Sequence, residues 1–280
     1  MQRESDQSLH CADARDNGRH GAAQNCYDLA VISDHDDLLP PLELLSDGTT
    51  NLADYTSIGE NFVNYFLIGH AQLRPHEAVL DVGSGIGQKS RPLSRYLTNR
   101  YDGLDVMPDA IEWCRQAYSR FPNFNFQVAD LYSTHYNPAG RLRSEDYTFP
   151  FKDGTFDLVF LSSVFTHMLP CGVARYLSEI HRALKPGGRC VATYFLLNAE
   201  ALYWIGKKKN VISAPHQWGK GCFVADLSTP ETTVVHEESS IREMYVSCGM
   251  SIFETTFGFW SGRTDLIKCL QDVIISVKPQ

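Results

Sequence analysis

The sequence predicts an α/β fold, with a doubly wound, mostly parallel seven-stranded sheet, a C-terminal antiparallel hairpin and an inserted lid. Three observations support this fold class. Short apolar runs alternate with segments of helical periodicity from residue 76 onward. A glycine-rich turn, Gly83-Ser84-Gly85-Ile86-Gly87, follows the first apolar run directly. With 280 residues, 43% of them apolar, the chain is long enough to bury such a sheet on both faces.

The chain before the first predicted strand divides into two parts. Residues 1–27 are rich in Asp, Arg, His, Asn and Gln, and we expect them to be disordered or loosely attached. Residues 28–75 are expected to form a helical cap, with one helix over 54–71 whose apolar side chains recur on one face. Asp54 is the predicted cap of that helix.

The predicted sheet-forming domain spans residues 76–280. Two insertions, 132–150 and 198–236, interrupt its alternation of strand and helix, and long insertions at one end of such a sheet commonly shape a ligand site. Residues 185–188 are predicted as a turn, because a proline is followed there by two glycines. The predicted strands are 78–82, 101–106, 125–129, 156–162, 189–197, 252–259 and 272–277, and the predicted helices are 87–97, 109–120, 174–184 and 237–248.

Composition excludes several classes of protein. A formal net charge of −8 argues against non-specific binding to nucleic acid or to an anionic membrane, although it leaves room for a local basic patch. Eight cysteines without a C-x-x-C pair indicate reduced thiols, and scattered histidines indicate no metal site. We expect neither a signal peptide nor a transmembrane helix, because the first residues are polar and the apolar runs are short. We therefore expect a cytoplasmic protein without nucleic-acid or membrane partners, with a homodimer left open.

The glycine-rich turn between a strand and a helix suits a nucleotide-like ligand, because glycine lets a ligand approach the backbone and the helix start presents free N–H groups. A nicotinamide dinucleotide site requires G-x-G-x-x-G, whereas this turn reads G-x-G-x-G. A P-loop requires a glycine where Gln88 stands. In both alternatives Asp81 would place negative charge beside phosphate groups, and it better suits a ligand with an ammonium group.

Five motifs in order make the stretch 54–197 resemble the class I, Rossmann-like S-adenosylmethionine-dependent methyltransferase family, and in particular bacterial small-molecule methyltransferases. The motifs are Asp81 with the glycine-rich turn, Asp105 in Gly103-Leu104-Asp105-Val106-Met107, Asp130 in Ala129-Asp130-Leu131, the segment Phe151–Met168, and Arg182–Gly188. Asp105 also lies near the interval after the first glycine that is typical of a ribose-binding acid.

The resemblance implies S-adenosyl-L-methionine as cofactor and assigns it a set of contacts. Asp105 would bind the ribose hydroxyls, and Asp130 would lie near the adenine. The implied cofactor-binding residues are Asp81, Gly83, Ser84, Gly85, Gly87, Asp105, Val106, Met107, Asp130, Leu131, Leu161 and Ser162.

Methyl transfer from a sulfonium is an in-line displacement, which requires alignment and exclusion of water. We expect a small-molecule acceptor, with O-methylation favoured over N- or C-methylation. A hydroxyl acceptor must lose its proton, and His167 is the predicted general base, with a structural role as its alternative. Residues 28–66, 132–150 and 198–236 are expected to enclose the acceptor. The predicted acceptor contacts are Tyr55, His135, Tyr136, Tyr194 and Trp204.

Two other functions remain open at this point. A protein with these motifs can bind the cofactor without turnover, as a sensor or a platform for a partner. A methyltransferase of this family can also act on RNA or protein, although the sequence contains no basic stripe or RNA-binding module.

Overall fold

The computed structural model describes residues 38–45, 49–264 and 269–280, so the prediction for residues 1–27 lies outside it. In these ranges no helix is both long and apolar enough to span a bilayer. The strands are β1 (Val79–Val82), β2 (Tyr101–Asp105), β3 (Phe124–Val128), β4 (Phe156–Leu161), β5 (Leu184–Tyr194), β6 (Leu196–Leu197), β7 (His216–Gln217), β8 (Cys222–Val224), β9 (Val234–Glu237), β10 (Ser251–Thr256) and β11 (Asp272–Val277). The helices are α1 (Leu52–Phe62), α2 (Ser90–Tyr96), α3 (Pro108–Ala117), α4 (Pro170–Ala183), α5 (Ala199–Gly206) and α6 (Glu238–Ser247).

Seven strands form one sheet, in the order β10-β11-β5-β4-β1-β2-β3. Strands β1 to β5 pair in parallel, whereas β11 is antiparallel to both of its neighbours, β5 and β10. The predicted seven-stranded, mostly parallel sheet with a C-terminal antiparallel hairpin is therefore confirmed. Because the carboxyl ends of parallel strands meet at one edge, the loops after β1, β2 and β4 lie close together.

Apolar side chains cover both faces of this sheet. Along β4, Leu158 and Phe160 belong to one buried cluster, and Val159 and Leu161 belong to another. The first cluster includes side chains of α1, α2 and α3, and the second includes side chains of α4 and α6. Since successive side chains of a strand point to opposite faces, this alternation buries β4 completely, as expected for a central parallel strand.

Several boundaries differ from the predicted ones. The predicted helix 54–71 consists of α1 and a π-helical segment, Val63–His70. Its cap is Asn51, whose side chain accepts a hydrogen bond from the Asp54 N–H (2.8 Å). Helix α4 begins at Pro170 rather than at residue 174, because the missing N–H of proline costs nothing in the first turn of a helix.

The 198–236 insertion follows the point where the chain leaves the large sheet. Residues 185–188, predicted as a turn, lie within β5, and the predicted strand 189–197 is divided between β5 and β6. β6 joins a second sheet, of order β6-β9-β8-β7. Asp272, fully buried at the start of β11, accepts hydrogen bonds from the N–H groups of Leu196 (2.6 Å) and Gly258 (2.7 Å). These bonds fix the departure of the chain from β5.

Candidate active site

The glycine-rich turn after β1 lies at the carboxyl edge of the sheet and is attached to the end of β2. The Gly83 and Ser84 N–H groups donate to the Leu104 carbonyl oxygen (2.7 and 3.2 Å), and the Gly85 N–H donates to Asp105 Oδ2 (2.7 Å). Gly85 has a φ of +51°, and a β-carbon placed there would meet no heavy atom within 4 Å. The turn therefore faces open space at Gly85, which gives a ligand close access to its backbone.

Asp105 connects the turn to the loop that follows β2. Its side chain is buried, with Oδ2 accepting from the Gly85 N–H and Oδ1 accepting from the Met107 N–H (2.9 Å). A carboxylate offers about four lone-pair sites. The two oxygens thus join the glycine-rich turn to the loop after β2, and they place a carboxylate, a suitable acceptor for ligand hydroxyl groups, at the small cavity.

Two cavities adjoin the turn, and both are lined by Gly83, Gly85, Ser162 and Ser163. The small cavity has a volume of about 130 Å³ and the large cavity about 870 Å³. The small cavity is also lined by Asp105, Val106, Met107, Leu131, Tyr136 and His167. The large cavity is also lined by Tyr55, Phe62, Phe66, Lys89, Phe259 and Leu270.

Asp81 lies on the core side of the turn, outside the lining of both cavities. It is 1% exposed and accepts a hydrogen bond from the Tyr101 hydroxyl (2.7 Å), which also contacts Ser90 Oγ (2.6 Å). Burial raises the pKa of the Asp81 carboxyl to about 7, and the Tyr101 hydrogen bond opposes that rise. In this arrangement Asp81 supports the strand that precedes the turn.

Comparisons with known proteins agree with this architecture. Residues 80–192 match a family model described as a methyltransferase domain. A demethylmenaquinone methyltransferase of Tropheryma whipplei is 31% identical over 119 residues, which cover 42% of this chain and 42% of that protein. The fold resembles a SAM-dependent methyltransferase of Methanosarcina mazei (TM-score 0.52, 23% identity, 77% of this chain and 98% of that chain). It also resembles a protein of Pyrococcus horikoshii (TM-score 0.57, 19% identity, 82% and 93%).

Residues 80–192 belong to the class I S-adenosylmethionine-dependent methyltransferase family. The predicted family and fold class, and the cofactor that defines the family, are confirmed for this domain. The alignment spans 42% of the curated relative, so it identifies the domain and leaves the acceptor of the whole chain open.

Within the methyltransferase domain, the predicted cofactor residues separate into two groups. The first group lines the small cavity and consists of Gly83, Gly85, Asp105, Val106, Met107, Leu131 and Ser162. The second group lies outside that lining: Ser84 borders only the large cavity, and Asp81 is on the core side of the turn. Asp130 pairs with Arg141, Leu161 is fully buried in β4, and the Gly87 carbonyl accepts a hydrogen bond from the Tyr118 hydroxyl (3.2 Å).

His167 lines the small cavity, as Asp105 does. It ends a short 3-10 helix, Phe165–His167, that precedes α4. Its Nδ1 lies 3.2 Å from the Glu231 carbonyl oxygen, and its ring meets the Tyr136 ring at 87° with 5.7 Å between centroids. The structure therefore places the predicted base beside the Asp105 cavity and outside the lining of the large cavity.

Two predicted acceptor contacts, Tyr55 and Tyr194, are both buried but differ in position. Tyr55 of α1 lines the large cavity, and its hydroxyl donates to the Ile86 carbonyl oxygen (2.9 Å). Tyr194, at the end of β5, is fully buried in the core, where its hydroxyl is 2.9 Å from the Tyr245 hydroxyl. Only Tyr55 therefore lies where a ligand in the large cavity can touch it.

The two insertions border the small cavity rather than the large one. The 132–150 insertion contributes Tyr136 to its lining, and the 198–236 insertion contributes Glu231. His135 is exposed against the Tyr136 ring (4.6 Å), and Trp204 is half-buried beside Tyr203 on α5. The structure thus divides the three segments expected to enclose the acceptor: the described part of 28–66 borders the large cavity, and the insertions border the small one.

Sequence reasoning missed one wall of the large cavity, the loop between β10 and β11. Phe259, Leu270 and Gln271 line the cavity from this loop. Asp272 Oδ2 positions it by accepting a hydrogen bond from Trp260 Nε1 (2.7 Å). This wall depends on contacts between distant parts of the chain, for which no local sequence signal exists.

Across the described ranges, no group of three or more His, Cys, Asp or Glu is arranged to hold a metal ion.

Proposed function

We propose that this protein binds S-adenosylmethionine with its adenosyl group in the small cavity and its methionine part extending along the glycine-rich turn, and transfers the methyl group to the hydroxyl oxygen of a small, mainly apolar acceptor in the large cavity. The observation behind this proposal is that the two cavities adjoin across one glycine-rich turn and share Gly83, Gly85, Ser162 and Ser163. A donor and an acceptor in adjoining cavities can be held in line, which is the main requirement of a displacement at a methyl carbon.

The residues of the small cavity fit the cofactor. Asp105 lines this cavity, and a carboxylate is a suitable acceptor for ribose hydroxyls. Met107 and Leu131 supply apolar walls suited to a base. The open space beside Gly85 lets the ligand approach the backbone of the turn. When bound, S-adenosylmethionine supplies an electrophilic methyl group on a sulfonium, and its positive charge disperses during transfer.

The large cavity supplies an environment suited to an apolar or aromatic acceptor. Its walls include Phe62, Phe66, Phe259 and Leu270, which exclude water from the acceptor. Lys89 also lines this cavity, with its Nζ donating to Gln88 Oε1 (2.6 Å) and lying 5.8 Å from the centre of the Phe62 ring. An ammonium group near a phenol or enol lowers the pKa of that hydroxyl and stabilises the oxygen nucleophile.

A mainly apolar acceptor also agrees with the name of the curated relative, which acts on demethylmenaquinone. That similarity covers less than half of either chain. Demethylmenaquinone is therefore one member of the acceptor panel to be tested, beside simple phenols, enols and amines.

The test begins with calorimetry of the full chain with S-adenosylmethionine and with NAD. Mass spectrometry then follows methylated products across the acceptor panel. We expect cofactor binding and an O-methylated product, with kcat/KM for a phenol lowered about tenfold in Lys89→Gln, equivalent to about 1.4 kcal/mol. Lys207→Gln, at an exposed lysine beside α5, is the matched control and should leave kcat/KM unchanged.

Each part of the proposal has its own contradicting result. Binding of NAD alone would contradict the cofactor. Cofactor binding without any methylated product would favour the sensor alternative. A product methylated on nitrogen or carbon would contradict the hydroxyl acceptor, and equal losses in Lys89→Gln and Lys207→Gln would remove Lys89 from the acceptor site.

A further inference from the structure

The family resemblance assigns the adenine contact to Asp130, but this side chain is engaged elsewhere. Its Oδ2 accepts a hydrogen bond from Arg141 Nε (2.5 Å), and its Oδ1 accepts one from the Arg141 N–H (3.2 Å). The Asp130 side chain is 37% exposed and is absent from the lining of the small cavity, although Leu131 is part of it. The 132–150 insertion causes this arrangement, because it folds back and places Arg141 beside Asp130.

Two carboxylates line the small cavity among the described residues, and the second is Glu231. It lies in a 3-10 helix, Pro230–Thr232, within the 198–236 insertion. The Glu231 carbonyl oxygen is 3.2 Å from His167 Nδ1, which attaches this short helix to the cavity wall. Glu231 is therefore held at the cavity by contacts from an element distant in sequence.

The Glu231 carboxylate is only partly satisfied. Its side chain accepts a hydrogen bond from the Thr134 N–H, while Oε2 is buried without a hydrogen-bond partner. Burial raises the pKa of this carboxyl, opposed by the Thr134 hydrogen bond and by the charge of Arg143, with Glu145 adding to the rise. Buried polar atoms in folded proteins are nearly always paired, so an unpaired acceptor beside a cavity indicates a donor that arrives with a ligand.

We propose that Glu231, and not Asp130, accepts the hydrogen bond from the 6-amino group of the adenine when the cofactor is bound. This inference rests on the proposed function, since it assumes an adenosyl ligand in the small cavity. Asp105 is suited to the ribose hydroxyls, which leaves Glu231 as the carboxylate for the base. The 6-amino group is the only N–H donor on the adenine of such a ligand, and either protonation state of Glu231 retains an acceptor oxygen.

Calorimetry with two ligands tests this assignment without requiring turnover. S-adenosyl-L-homocysteine presents a 6-amino donor, and S-inosyl-L-homocysteine presents a 6-oxo acceptor at the same place. At alkaline pH we expect the full-length wild type to prefer the adenosyl ligand by at least about tenfold, because an ionised Glu231 carboxylate has no hydrogen to donate to the oxo group. In Glu231→Gln the preference should fall to within about threefold, because the side-chain amide can either accept or donate.

Asp130→Asn is the matched control, with the same chemical change at the residue implied by the resemblance, and it should keep the wild-type preference. Thermal unfolding of each variant shows whether it folds. If Glu231→Gln does not fold, Glu231→Asp replaces it. This variant withdraws the carboxylate by one methylene, and it should show a partial loss of the preference for the adenosyl ligand. Equal wild-type binding of both ligands would overturn the inference. So would an unchanged preference in Glu231→Gln, or a lost preference in Asp130→Asn. Failure of the wild type to bind either ligand would instead contradict the proposed function.

Discussion

Replacement of Gly85 by alanine separates ligand binding from stability at the glycine-rich turn. Gly85 has a φ of +51°, a left-handed conformation that costs an alanine about 1–2 kcal/mol. A β-carbon there meets no heavy atom within 4 Å, so no packing strain is added. In a domain of this size about 1 kcal/mol corresponds to roughly 2–4 °C in Tm. We therefore expect Gly85→Ala to remain folded, with a Tm only a few degrees below that of the wild type.

The effect on binding should be larger than this loss of stability suggests. The open space that tolerates the methyl group in the free protein is the space that we assign to the cofactor. We expect the Kd for S-adenosyl-L-homocysteine to rise by at least about tenfold, which corresponds to about 1.4 kcal/mol. Calorimetry gives this Kd, and thermal unfolding without ligand gives the Tm.

Gly154 provides a matched control. It has a φ of +60°, and a β-carbon there also meets nothing within 4 Å. It lies in the turn before β4, at the opposite edge of the sheet from the glycine-rich turn. Gly154→Ala should show a similar loss of Tm and an unchanged Kd. The reasoning is refuted if folded Gly85→Ala binds with the wild-type Kd, or if both variants lose affinity by the same factor.

Two further predictions concern side chains near the turn. The pKa of Asp81 is raised from 3.8 to about 7 by burial, so its stabilising contribution is fully present below about pH 4 and is lost as the pH rises through 7. Asp81→Asn, which does not ionise, should therefore gain stability relative to the wild type between about pH 5 and pH 8 in urea unfolding, and a constant difference would argue against a raised pKa. His167→Gln should raise KM for S-adenosylmethionine while leaving the pH dependence of kcat unchanged, because His167 lines the small cavity. Loss of an ionisation from the kcat profile would instead restore His167 as the base.

The parts of the site that could be predicted from the sequence are local. The residues from Val79 to Gly87 form a strand and a turn in direct succession, so their spacing alone indicated the ligand-binding edge. Asp105 could be placed because it ends the next strand, and β1 and β2 are paired neighbours in the sheet. Short sequence separation leaves few alternative arrangements for such elements.

Asp130 and Tyr194 show why residues at suitable sequence positions can still lie outside a site. The motif places Asp130 after β3, but Arg141 reaches it only because the 132–150 insertion folds back to pair Leu131 with Leu142. Tyr194 ends β5 at the correct edge, yet its side chain lies on the face covered by α6, where it meets Tyr245. An insertion and a choice of sheet face are both decided by packing against distant residues.

The sequence by itself determined the α/β class, the family and the cofactor edge, because each depends on apolar periodicity or on motif spacing within a few adjacent elements. Only the tertiary structure decided which segments border which cavity. Phe259 and Leu270 reach the large cavity because β11 inserts between β5 and β10, and Glu231 reaches the small cavity because its short helix docks on His167. Such contacts join residues far apart in the chain. They form only when buried groups such as Asp272 close long loops, and no short stretch of sequence encodes that closure.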